Sequence, residues 1–168
     1  MAARDGQHPP RVCGRFGLGE RPRNPAWEKT LAATPESVRI ARDIAAQMAA
    51  QVAASDRDVD SIRLAVSEAV TNVVRHAYPG REGPVQILIA GVEDGGLAIL
   101  VADQGCGLRR PSADPGCGFG MKLMAQTADD LEVAERSGGG TEVRLTFRLH
   151  RRPGHSRRAP NTKPARIG

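Results

Sequence analysis

The stretch Ser55–Gly80, SDRDVDSIRLAVSEAVTNVVRHAYPG, carries most of the information about how this chain folds. Ile62, Ala65, Val66, Ala69, Val70, Val73, Val74 and Ala77 recur at the three- and four-residue spacing of a helix with one buried face. Ser55 and Asp56 are capping residues, Asp58 and Asp60 suit the positive end of the helix dipole, and Pro79-Gly80 ends the run. A helix is therefore expected from about Ser55 to about Tyr78. Inside it Glu68, Asn72 and His76 stand four apart, drifting by about 40° per step, so they form one polar stripe. A carboxylate can act as a general base toward a hydroxyl, and an amide oxygen is a neutral, hard ligand for magnesium carrying phosphate oxygens. A solvated helix face uses the same residue types, so the stripe alone does not decide function.

Upstream, Val38, Ala41, Ile44, Ala45 and Met48 mark a first helix from about Pro35 to Ala54, with Thr34 as its hydroxyl N-cap and Pro35 at its first position. Ala26–Ala33 is expected to be a first strand. Downstream, Val85–Val92 and Leu97–Ala102 are apolar, β-rich runs joined by Glu93-Asp94-Gly95-Gly96, a hairpin signal. Gln104–Gly118 is dense in Gly and Pro and forms a candidate functional loop. Phe119–Ala128 has helical composition, Leu131–Ala134 reads as a strand, and Ser137–Gly140 turns the chain into a last strand, Thr141–Leu149. Grouped helices and hairpin pairs predict an α+β fold: a two-layer sandwich with helices on one face of a mixed, mostly antiparallel sheet.

Composition narrows the function classes. The 168 residues carry a net charge of +5, but 1–25 hold five Arg against Asp5 and Glu20, and 150–168 hold five Arg and Lys163 with no acid. The intervening 26–149 is acidic, with 13 basic and 17 acidic residues. The expected organisation is one domain over 26–149 between disordered basic tails, 1–25 and 150–168. Arg-rich tails can hold a nucleic acid loosely. The ordinary reading is solvated ends, and with Trp27, Tyr78 and three Phe as the only aromatics, nucleic acid is not the expected partner. No run approaches the roughly 20 apolar residues that span a bilayer, and no secretory signal is visible. Cys13, Cys106 and Cys117 are an odd number without metal-ligand spacing, which points to a reducing, cytoplasmic setting.

Three further features can carry chemistry. Asp103 ends an apolar strand and precedes Gly105 and Gly107; an acid there can accept a hydrogen bond from an exocyclic amine while the glycines let the backbone approach a flat ring. Gly116-Cys117-Gly118-Phe119-Gly120 opens the predicted third helix, and unhindered amides at a helix start form a phosphate cradle, with Arg109, Arg110 and Lys122 as added charge. Gly138-Gly139-Gly140-Thr141 places a hydroxyl at the start of the last strand. Each also has a bland reading as a turn or linker.

Taken in order, Glu68-Ala69-Val70-Thr71-Asn72 with His76-Ala77-Tyr78, Asp103-x-Gly105-x-Gly107, Gly118-Phe119-Gly120-Met121 and Gly140-Thr141 resemble the N box, two glycine boxes and terminal Gly-Thr of the GHKL ATPases. Among these the chain is most similar to the bacterial anti-sigma serine kinases, a match strengthened by Gly118–Met124 followed by Asp129-Asp130 and covering about Trp27 to Phe147. The resemblance implies ATP and Mg2+ as cofactors, Glu68 as general base, Asn72 as magnesium ligand and Asp103 as the acceptor for the adenine amino group. It implies that Gly105 and Gly107 shape the adenine pocket, that Gly118 and Gly120 face the phosphates, and that Thr141 holds the adenine through water. His76, Arg109, Phe119, Met121 and Lys122 are expected to line the nucleotide site. The implied partners are a sigma factor, which is sequestered, and an anti-sigma-factor antagonist, whose serine accepts phosphate; family members often form homodimers.

Ten residues between Gly107 and Gly118 make a shorter lid than the family's best-studied kinases have, so slow or absent catalysis is a second reading: an ATP-binding regulator without kinase activity. A histidine-kinase catalytic domain working in trans would need a dimerisation helix pair that the residues before Trp27 do not supply. A regulator tethered to nucleic acid through its tails is the reading from another class. Cys106 and Cys117 flank the lid, and a disulfide latch between them runs against a reducing compartment.

Overall fold

The computed structural model describes residues 22–52, 54–92, 96–107 and 119–150. Along the chain these form β1 (Pro22–Ala32), α1 (Pro35–Gln51), α2 (Asp56–Asn72), one π-helical turn (Val73–Ala77), β2 (Pro84–Val92), β3 (Leu97–Asp103), α3 (Phe119–Thr127), β4 (Asp130–Glu135) and β5 (Thr141–Phe147). The expectations placed on 1–21, on 151–168 and on most of the Gln104–Gly118 loop, including Arg109, Arg110, Cys117 and Gly118, lie outside the described residues.

The strands form one sheet in the order β1-β2-β3-β5-β4, and every described pair is antiparallel. The mostly antiparallel sheet expected is found, with no parallel pair among the described residues. The physical reason lies in the crossover. The α3 connection returns β4 in the same direction as β3, and β5 then pairs between them, so two would-be parallel neighbours become two antiparallel pairs.

Register sorts the side chains. Ile89 pairs with Ile99, which pairs with Leu145, and Ile87 pairs with Val101, which pairs with Val143. These residues share the helix-facing side and join α1 and α2 in the main core. Intervening positions point to the opposite face, where Leu88, Ala90, Leu100 and Ala102 form a second small cluster. Because both faces are buried, β2 and β3 read as nearly unbroken apolar runs rather than alternating ones. On the helix layer, Ala41, Ala45 and Ala49 of α1 and Ile62, Ala65, Val66, Ala69 and Val70 of α2 are completely buried. The small side chains let the two helices approach closely while both lie on the sheet.

Three local expectations are corrected. β1 starts at Pro22 rather than Ala26, so strand replaces expected disorder over 22–25. It is an edge strand whose register is irregular between Arg23 and Trp27, where proline's missing N–H costs least. Thr34 stands at the N-cap of α1 in an extended conformation, but its hydroxyl makes no capping bond. Ser37 turns back instead, its backbone N–H and its Oγ both bonding Thr34 O, at 3.0 and 2.7 Å. Finally, the helix expected to run to Tyr78 is α-helical only to Asn72; Val73–Ala77 widens into the π-turn. The turn at its end has Gly80 at φ +70°, with Arg81 N–H bonding Tyr78 O at 3.3 Å, as expected of a Pro-Gly stop.

The start of α2 is held by a capping box. Ser55 Oγ accepts Asp58 N–H at 3.2 Å, and Asp58 Oδ2 accepts Ser55 N–H at 3.2 Å. The chain beyond β5 closes on the same carboxylate: His150 N–H bonds Asp58 Oδ2 at 2.8 Å, the His150 ring nitrogen lies 3.1 Å from Oδ1, and Ser55 N–H also bonds His150 O at 2.8 Å. Burial pushes the Asp58 carboxyl up, but the hydrogen bonds from Ser55 and His150 outweigh it and hold the group below the ordinary aspartate range. Asp58→Ala is expected to lower unfolding free energy by about 1–2 kcal/mol at neutral pH. A carboxyl with a lowered native pKa stabilises fully above its unfolded pKa and loses that contribution as pH falls through the native value. The gap between wild type and variant in urea titrations should therefore narrow below about pH 4.

Candidate functional site

Glu68 and Asn72 stand half-buried on α2, one turn apart. The first turn of α3 closes against both. A β-carbon built at Gly120 would stand 2.7 Å from Glu68 Oε2 and 3.7 Å from Asn72 Oδ1, so any side chain there would push the Glu68 carboxylate from its present place. The opening N–H groups of a helix have no partner within it and carry the positive end of its dipole. A carboxylate, an amide oxygen and a helix start therefore converge. Met124, fully buried, anchors α3 in the core, with half-buried Met121 packed beside it. Phe119, 71% exposed, and Lys122 project outward from the same helix.

Asp103 ends β3 on the helix-facing side and is 4% exposed. Its Oδ1 accepts Gly105 N–H at 2.7 Å, which folds the chain back at the strand end. The β3–β5 register, continued one residue past the Ala102–Glu142 pair, sets Thr141 opposite Asp103. The turn before β5 packs on the same place. Gly140 has φ +92°, and a β-carbon there would stand 2.2 Å from Asp103 O. Arg136 Nη1 donates to that same carbonyl at 3.1 Å. Gly107 adopts φ +72°, a backbone state that side chains disfavour.

The loop after Asp103 is fastened to the end of α2. Cys106 N–H bonds Ala77 O at 3.0 Å, and Cys106 Sγ donates to His76 O at 3.2 Å. A β-carbon at Gly105 would stand 2.2 Å from Ala77 O. These carbonyls belong to the last helical turn, which leaves its C=O groups without donors inside the helix, and the loop supplies them. Gln104 N–H bonds the Tyr78 hydroxyl at 2.8 Å, and that hydroxyl donates to Pro84 O at 2.6 Å. Glu68 and Ala77 are nine residues apart along α2 and the π-turn, so one helical segment carries the carboxylate and, at its C-terminal end, the Asp103 loop.

The structure thus brings Glu68, Asn72 and Gly120 together, and Asp103, Gly105, Gly107 and Thr141 together at the C-terminal end of the same helical segment. The stripe through His76 is interrupted, because the π-turn changes the angular step after Asn72 and leaves the His76 side chain exposed. Arg109 and Gly118 lie outside the described residues. Tyr78 and Arg136 were not singled out as site residues. For Tyr78 a signal existed, since a buried tyrosine requires a partner for its hydroxyl; for Arg136 nothing in its sequence surroundings distinguishes it.

Residues 31–147 match the family described as histidine kinase-like ATPase domain. The anti-sigma F factor of Clostridium acetobutylicum is 32% identical over 123 residues, spanning 66% of this chain and 85% of that protein. The anti-sigma F factor of Caldanaerobacter subterraneus subsp. tengcongensis is 34% identical over 117 residues, 63% of this chain and 81% of that protein. The serine-protein kinase RsbW of Bacillus pumilus is 32% identical over 142 residues, 74% of this chain and 86% of that protein. Among solved structures, the RsbU and RsbW domains of a Mycobacterium tuberculosis protein superpose with a TM-score of 0.60 at 27% identity, over 74% of this chain and 32% of that one.

Proposed function

The chain belongs to the histidine kinase-like ATPases, in their anti-sigma serine kinase branch, and on that premise we propose that it binds ATP, phosphorylates a serine of an anti-sigma-factor antagonist and sequesters a sigma factor. The observation that carries this reading is the approach of Gly120 to Glu68 and Asn72, which sets a proton acceptor and an amide oxygen beside the first turn of α3. The residues present suit a magnesium–ATP complex: the glycine positions leave backbone cradles that a side chain would fill, and the donor at Asn72 is a neutral oxygen.

In this reading Glu68 takes the proton from the antagonist's serine hydroxyl as the serine oxygen bonds the γ-phosphorus of ATP and the bond from that phosphorus to the β,γ-bridging oxygen breaks, leaving ADP. Asn72 holds magnesium, which supplies neutralisation of phosphate charge, and the first-turn N–H groups of α3 with Gly118 and Gly120 orient the phosphates. Asp103 accepts the adenine amino group, Gly105 and Gly107 admit the ring, and Thr141 holds its edge through water. His76, Arg109, Phe119, Met121 and Lys122 line the nucleotide's path. Most of the rate would come from positioning and charge neutralisation. The same proposal takes 26–149, extended by β1 to Pro22, as the ATPase domain, working in the cytoplasm as a homodimer. Among the described residues no helix is long and apolar enough to cross a membrane.

The test is incubation of the full chain with γ-labelled ATP, magnesium and antagonist candidates encoded nearby. Label is expected on serine, with Asn72→Ala losing both the label and magnesium-dependent ATP binding. ATP binding without any acceptor would favour the regulator reading, and absence of ATP binding would overturn the proposal.

A further inference from the structure

The peptide bond between Asp103 and Gln104 is gripped at both ends by side chains from different parts of the chain. Its carbonyl accepts Arg136 Nη1 at 3.1 Å, and its N–H donates to Tyr78 Oη at 2.8 Å. The orientation of this one peptide plane decides where the Asp103 carboxylate points and where Gly105 N–H returns to meet it. Tyr78 is well set to hold it. The residue is 8% exposed, its hydroxyl is also fixed by donating to Pro84 O, and its ring is packed so tightly that a β-carbon at Gly83 would stand 2.2–2.3 Å from three of its atoms. The outer face of the ring carries the Arg81 guanidinium, 5.0 Å from its centre. A hydroxyl with both its donor and its acceptor capacity used, on an immobile ring, is a rigid peg rather than a solvated group.

We propose that Tyr78 is the positioning residue that sets base selectivity: its hydroxyl orients the 103–104 peptide so that Asp103 presents its carboxylate to the exocyclic amine of adenine. This rests on the reading of Asp103 as the base acceptor. Glu68 and Asn72, read as serving phosphoryl transfer, lie in the α-helical part of α2 upstream of the π-turn, whereas Tyr78 contacts the Asp103 end of the site. Arg136 grips the same peptide from the β4–β5 side and supplies the second variant.

The experiment measures dissociation constants of the full chain for ATP and for ITP, which has an oxo group in place of the amine, in wild type, Tyr78→Phe and Arg136→Met. Tyr78→Phe keeps the ring and its packing but leaves Gln104 N–H unpaired. Wild type is expected to prefer ATP, and in each variant the ATP constant should rise on the order of tenfold while the ITP constant barely changes. The ATP concentration for half-maximal phosphorylation rises with it, and kcat at saturating ATP stays unchanged. A matched destabilisation in the core, Ile62→Val, should lower the melting temperature and leave the ATP-to-ITP ratio as in wild type. An unchanged ratio in Tyr78→Phe overturns the inference alone, whatever happens to its melting temperature. A wild type that binds ATP and ITP equally overturns both the inference and the role of Asp103, and one that binds neither overturns the nucleotide site itself.

Discussion

Glu68→Gln is expected to stop phosphate transfer while leaving ATP bound. The substitution preserves length and volume, so the contact with the first turn of α3 at Gly120 survives, and the half-buried position keeps its hydrogen-bonding capacity. What is lost is the capacity to take a proton from the acceptor hydroxyl, a contribution of roughly 10²–10⁴ in rate. Single-turnover labelling of the antagonist should fall at least about a hundredfold, with the ATP dissociation constant within about threefold of wild type. Retention of more than a tenth of the rate would place the base elsewhere. Loss of ATP binding along with the rate would make Glu68 a structural or magnesium-holding group instead.

Gly140→Ala should produce the largest loss of stability of any single methyl added to the site. Two costs combine there. Alanine is strained at φ +92°, at about 1–3 kcal/mol, and its β-carbon would stand 2.2 Å from the backbone oxygen of Asp103, an atom that cannot swing aside as a side chain can. Relief requires β3 and the 136–140 turn to separate, which breaks the Arg136 bond to Asp103 O and moves the carboxylate read as the adenine acceptor. Unfolding free energy is expected to fall by about 3 kcal/mol in denaturant titrations, with ATP affinity lost as well. Gly138→Ala is the internal control, since nothing lies within 4 Å of a β-carbon there and both quantities should match wild type. Normal ATP affinity in Gly140→Ala would show that the turn does not position Asp103.

Much of this architecture was legible because its signals are local. The apolar spacing of Ile62 through Val70, the Ser55 cap and the Pro79-Gly80 stop all act within a turn or two of chain, and the structure starts α2 after Ser55, buries that face and ends the helical segment before Pro79. The unbroken apolar runs of β2 and β3 and the glycines before Thr141 likewise announce strands and turns by their own chemistry. The order of motifs was equally readable, and with it the family, since residue type and spacing survive in sequence without any knowledge of contacts.

What sequence left open was decided by partners far along the chain. Thr34 has the residue type of a capping hydroxyl, yet the turn is closed by Ser37. Helical periodicity carried the Glu68–Asn72 stripe on to His76, and the π-turn broke it in the segment where Ala77 O receives Cys106 N–H and His76 O receives Cys106 Sγ. Pairing of β5 between β3 and β4 depends on which strands meet across some forty residues, and no local pattern encodes that choice. By itself the sequence determined the order of the elements, the buried faces and the identity of the polar residues on α2 and at the end of β3. Only the tertiary structure decided that Gly120 closes on Glu68 and Asn72, and that Tyr78 and Arg136 grip the peptide after Asp103. Periodicity and capping are properties of neighbouring residues, whereas a hydrogen bond between residues 26 or 33 positions apart exists only after the sheet and helices have packed.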